Sequence, residues 1–158
     1  MEEKYNIANR YLLIGHSAGA TLIFELQHGS TPPPAAVLGI SGIYHFNAFL
    51  QAHPDPFYEW FMGNAFPDKA LWEEATPYQS SLAGRAAWEH LKTIIIAHSP
   101  EDKLVEMGQA TSMLECARKT KGNVHFLEAK GNHDTVWMSG YILADLIVKS
   151  VNLMQGNA

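Results

Sequence analysis

The chain of 158 residues holds a single cysteine, Cys116. One thiol cannot close an internal disulfide, so a disulfide-stapled secreted scaffold is excluded and a reducing, cytoplasmic setting is expected. Basic charge is scarce: 11 Lys and Arg stand against 16 Asp and Glu, leaving a formal charge of −5. No basic stripe exists to neutralise phosphates, which argues against nucleic acid as a partner. No apolar run approaches the roughly 20 residues that span a bilayer. The opening Met1-Glu2-Glu3-Lys4 is charged and lacks the apolar core of a signal peptide, so a membrane is not an expected partner either. Internal repeats and low-complexity tracts are missing. The 8 histidines show no metal-ligand spacing such as H-E-x-x-H, and no metal or other cofactor is expected.

What remains is the composition of a folded domain, 47% hydrophobic and 17% charged. Apolar, β-branched runs predict strands at 10–15, 35–41, 92–98 and 123–128. Between and after them the spacing predicts helices at 18–28, closed by Gly29, at 104–119 and at 134–153. Strands alternating with helices mean an α/β fold with a parallel, doubly wound sheet, here as a single domain over 1–158. Residues 45–90 differ in texture. Short helices broken by Pro54, Pro56, Pro67 and Pro77 carry Phe57, Tyr58, Trp60, Phe61, Phe66 and Trp72. An ordinary core accounts for most of these rings, while a cap beside the site would turn one or two toward an aromatic substrate.

Residues 15–19 read Gly-His-Ser-Ala-Gly, directly after the apolar run Tyr11-Leu12-Leu13-Ile14 and directly before a helical stretch. This is the G-x-S-x-G nucleophile elbow in its strand–turn–helix setting. The sharp turn strains the serine backbone, and the flanking glycines Gly15 and Gly19 let strand and helix approach. Ser17 is the expected nucleophile; the alternative is a glycine-rich turn whose serine only caps a helix. The backbone N–H of Ala18, the residue after the nucleophile, is the expected oxyanion donor.

A nucleophilic serine needs a base, and the base an orienting acid, in the chain order Ser, Asp or Glu, His. Asp102 follows the strand 92–98 on a loop at its carboxyl end, and His133 follows the strand 123–128 in the same way. These are the expected acid and base. Glu101 is the competing acid. Asp134, next to the base, is expected to cap the last helix, and His16 to shape the neighbouring loop. His28, His45, His53, His90, His98 and His125 read as surface or satisfied core residues.

The elbow, the acid loop and Gly131-Asn132-His133 together resemble the α/β-hydrolase superfamily, on its esterase and lipase side. Gly39-Ile40-Ser41-Gly42-Ile43-Tyr44, Ala65-Phe66-Pro67-Asp68 and His98-Ser99-x-x-Asp102-x-Leu104-Val105 are similar to fungal kynurenine formamidases (arylformamidases). That resemblance implies hydrolysis of the small molecule N-formyl-L-kynurenine to L-kynurenine and formate, in tryptophan degradation, by a metal-free homodimer. It also implies a His-Gly-Gly motif upstream of the elbow that completes the oxyanion hole. This sequence has only His28-Gly29, after the elbow. The chain therefore reads as the C-terminal part of the fold, lacking its N-terminal strands, with a general carboxylesterase or an impaired fragment as the alternatives.

Overall fold

Four strands, β1 (Leu12–His16), β2 (Ala36–Ile40), β3 (Thr93–His98) and β4 (Val124–Glu128), lie side by side in chain order. The computed structural model describes residues 7, 9–26, 33–73, 75–77, 91–120 and 122–156. All three strand pairings are parallel, with Leu12 opposite Ala36, Ala36 opposite Thr93 and Ile94 opposite Val124. His16 is level with Ile40, Ile40 with Ala97, and His98 with Glu128, so all four carboxyl ends reach one edge of the sheet. The loops leaving that edge carry every expected site residue.

Successive side chains of a strand point to opposite faces, and both faces here are covered. Leu13, Val37, Ile94 and Ile96 pack with Ile23 and Phe24 of α1 (Ala18–Glu25) and with Met113 and Ala117 of α4 (Met107–Thr120). Leu12, Leu38, Ile95 and Leu127 pack on the other side, against Val136 of α5 (Thr135–Met138) and Leu146 of α6 (Gly140–Gln155). The result is a helix–sheet–helix sandwich. Burial on both faces is why β2 and β3 are uninterrupted buried runs instead of alternating ones.

The strands fall within two residues of their expected bounds. The helices differ more. α4 begins at Met107, not 104; the amides of Leu104 and Val105 instead close a tight turn onto the Asp102 side chain. The last helix is two, broken at Ser139, whose ψ of 94° is extended. Ser139-Gly140 joins two residues that hold helices poorly. α1 ends at Glu25, with Leu26 already extended at ψ 121°. Gly29, the pair His28-Gly29, His90 and the stretch 78–90 lie outside the described residues.

Between β2 and β3 lie α2 (Phe46–Ala52), α3 (Pro56–Ala65) and a 3₁₀ turn at Lys69–Leu71. Each is capped by its preceding residue: His45 accepts from the Ala48 N–H, Asp55 from Phe57 and Asp68 from Ala70. Pro56 starts α3 and does not break it, since the first helical position has no use for an N–H. A small core of Phe46, Met62 and Trp72 holds the segment. It does not account for most of the expected rings: Phe57, Trp60 and Phe61 are 57, 64 and 49% exposed.

Candidate active site

Ser17 stands between β1 and α1 with φ 53° and ψ −125°, a backbone state that L-residues rarely adopt. Such a residue costs of order 1–3 kcal/mol and persists only where its surroundings enforce it. Here the Ser17 N–H donates to the Ile40 carbonyl at 2.9 Å, and the Ser17 carbonyl accepts from Ala20 at 2.9 Å. Gly15 is obligatory: a Cβ there would lie 2.2 Å from the Gly19 oxygen. Gly19 is not, since a Cβ on it would meet nothing within 4 Å. The pair of glycines expected to give strand and helix room is thus one glycine facing the backbone of the other. The Ala18 N–H, first in α1, donates to no group among the described residues.

On the neighbouring loops His133 donates from Nδ1 to Asp102 Oδ2 at 2.8 Å. The Asp102 side chain is 0% exposed and that of His133 9%. Asp102 Oδ1 accepts from the N–H groups of Leu104 and Val105, both at 3.0 Å. Burial works against ionising this carboxyl, but the Val105 N–H, the His133 ring and the nearby Ser41 hydroxyl outweigh it and hold it below the usual Asp range. A carboxylate takes the Nδ1 proton of the ring, so Nε2 presents a lone pair as an acceptor.

The loop carrying His133 is held at several points. The Ala129 N–H donates to the His98 carbonyl at 2.9 Å, and the Gly131 N–H to Glu101 Oε1 at 3.2 Å. Gly131 has φ 84°, and a Cβ there would meet Thr135 Cγ2 at 2.6 Å. The competing acid Glu101 therefore braces the loop, while Asp102 takes the ring. His16 Nε2 donates to the His133 carbonyl at 3.0 Å, with the two rings 4.6 Å apart. Burial first, then the charge of His133, push the His16 pKa down.

Ser17, Asp102 and His133 all lie at the carboxyl edge of the sheet, and two of the three are hydrogen-bonded. Ser17 Oγ makes no hydrogen bond among the described residues, so the expected contact with His133 is open. Contacts of this kind often close only with substrate in place. Asp134 does not cap a helix as expected. Asn132 does, its Oδ1 accepting from the Thr135 N–H at 3.0 Å, and Asp134 takes the Trp137 indole N–H at 3.2 Å.

The remaining described histidines have local structural roles. His45 caps α2, His53 Nε2 lies 2.7 Å from Glu106, and His125 Nε2 lies 2.6 Å from Asn123 Oδ1. His98, fully buried, donates from Nε2 to the Val105 carbonyl at 2.9 Å, and burial lowers its pKa. Sequence reasoning passed over two supports. Gln109, on α4, accepts from the Tyr44 and His45 N–H groups at 2.9 and 2.8 Å and pins the turn after β2. Ser41, fully buried at φ 48°, flanks the acid. The Gly39–Tyr44 motif was the available signal. Gly39 and Gly42 make room for the buried Tyr44 ring, which a Cβ at either would strike at 2.3 Å.

No family model matches the chain. In sequence it is similar to a kynurenine formamidase-like hydrolase of Fusarium equiseti, 30% identical over 98% of this chain and 56% of the relative. A kynurenine formamidase of Aspergillus versicolor is 28% identical over 87% of this chain and 58% of its own length. The chain thus spans somewhat over half the length of these relatives. In structure it is similar to the Pyrococcus horikoshii acylaminoacyl peptidase, with a TM-score of 0.63 at 16% identity, over 92% of this chain and 24% of that one. The fold is that of the α/β-hydrolases.

Proposed function

We propose that this chain carries the nucleophile, base and acid of a serine hydrolase that cleaves N-formyl-L-kynurenine to L-kynurenine and formate. The observation that carries the proposal is the buried 2.8 Å pair of His133 and Asp102, on loops at the same sheet edge as the strained Ser17. The similarity to kynurenine formamidases supports the choice of substrate. In this reading His133 Nε2 takes the proton of Ser17 Oγ as the oxygen attacks the formyl carbon. Asp102 stabilises the imidazolium that forms. The oxyanion meets the Ala18 N–H. Collapse breaks the carbon–nitrogen bond, and His133 returns the proton to the departing aromatic amine. Water, deprotonated by the same ring, then releases formate from Ser17. A formyl group is small, so selectivity rests on contacts to the kynurenine side.

Turnover of N-formyl-L-kynurenine set against p-nitrophenyl acetate tests the substrate. A clear preference for the formamide, lost in Ser17→Ala, is expected. Preference for the ester points to a general carboxylesterase, and full activity in Ser17→Ala to a different nucleophile. The sequence offers no His-Gly-Gly motif for a second oxyanion donor. Missing one such donor typically costs about 10²–10³ in turnover, so this chain alone should be a slow catalyst. The same resemblance makes a homodimer the expected working unit, which sedimentation would test, and the single cysteine makes a reducing, cytoplasmic setting the expected one. No helix among the described residues is long and apolar enough to cross a membrane.

A further inference from the structure

His16 belongs to the elbow yet spends its side chain on the base. Its Nε2–H donates to the His133 carbonyl at 3.0 Å across 117 residues of sequence, and its ring lies tilted 46° against the His133 ring at 4.6 Å. The bond from His133 Nδ1 to Asp102 fixes one atom of the base and leaves the ring free to swing about that contact. A second tie at the carbonyl, with a flat neighbour beside the ring, removes that freedom. Both ties matter because a reacting group misplaced by about 1 Å can lose about 10²-fold in rate.

We propose that His16 is a positioning residue for His133, locking the base to the same elbow that carries Ser17. The proposal rests on the serine-hydrolase reading and adds to it a residue that acts through His133. Because His16 and Ser17 are adjacent on one strained turn, any shift of the elbow moves nucleophile and base holder together. The charged and titratable groups facing His16 are His133, Asp102 and Asp134. Burial and the charge of His133 favour the neutral ring, so His16 adds no positive charge beside the imidazolium that forms on His133.

Three variants of the full chain test this. His16→Gln can still reach the His133 carbonyl with an amide N–H; His16→Asn is polar but too short, and His16→Phe keeps a ring without a donor. Two readouts are followed: the rate at which a fluorophosphonate labels Ser17, and the low-field proton signal of His133 Nδ1–H. His16→Phe and His16→Asn should label about ten- to a hundredfold more slowly and lose or broaden the signal, with His16→Gln recovering most of both. Wild-type labelling and an intact signal in His16→Phe or His16→Asn would overturn the proposal. So would equal loss in all three variants. A wild-type chain that takes no label contradicts the nucleophile reading instead, and the His133 signal then decides the role of His16 alone.

Discussion

Asp102 and Glu101 are neighbours with one chemistry, and position alone separates them. Asp102 turns inward, where two backbone N–H groups and the His133 ring satisfy its oxygens, whereas Glu101 stays at the surface and reaches Gly131. Asp102→Asn should therefore keep the fold but invert the imidazole tautomer, lowering turnover about 10⁴-fold if it follows the template triad. Steady-state kinetics on the variant, with unfolding measured in parallel, checks this. His98 and the half-buried His16 give stability a pH dependence of known sign. His98 and His16 both have pKa values lowered on folding, so the unfolded chain takes up protons first as the pH falls. Stability should decline from about pH 6.5 downward. Asp102, also lowered, contributes stability that is complete above about pH 3.9 and lost as the pH falls through its folded value. Urea unfolding from pH 7 to 5 should show a shallower slope in His98→Gln than in the wild type; an unchanged slope would assign the titration elsewhere.

Among the elements, β2 and β3 were legible because uninterrupted buried runs such as Thr93-Ile94-Ile95-Ile96-Ala97 leave few alternatives to a strand covered on both faces. The places of Ser17, Asp102 and His133 at the sheet edge were legible because each lies just beyond the carboxyl end of an expected strand, the buried β3 for Asp102 and the less buried β1 and β4 for the other two. Several of the places where sequence fell short involve a side chain that binds backbone far away or out of turn. Asp102 draws the Leu104 and Val105 amides into the loop before α4, and Asn132 displaces Asp134 as a cap. His16 finds a partner 117 residues on, which no local pattern encodes. The elbow supplies the sharpest element-scale test. Gly15→Ala would drive a Cβ into the Gly19 backbone, so a loss of about 1–3 kcal/mol is expected from overpacking. Gly19→Ala has open space and should be neutral, or stabilising by about 0.4–1 kcal/mol. Denaturant midpoints of the two variants decide it, and equal losses would mean that the close approach at Gly15 is not what the turn requires.

For the molecule as a whole, β1 is the first strand of the sheet, and among the described residues it pairs only with β2. An apolar edge without proline or inward charge invites pairing. In a dilute monomer, the amides of Leu12–Ile14 that do not bond to β2 should exchange quickly with solvent. Slow exchange there would show that this edge is covered. The central claim, that Ser17 is a nucleophile activated through His133 by Asp102, concerns the whole because three loops from separate parts of the chain must meet. It is tested most directly by intact-mass and peptide analysis after exposure to a fluorophosphonate. One covalent adduct per chain is expected, located on Ser17, absent in Ser17→Ala and strongly slowed in His133→Ala. An adduct on another residue, or labelling of Ser17 at the same rate without His133, would contradict it.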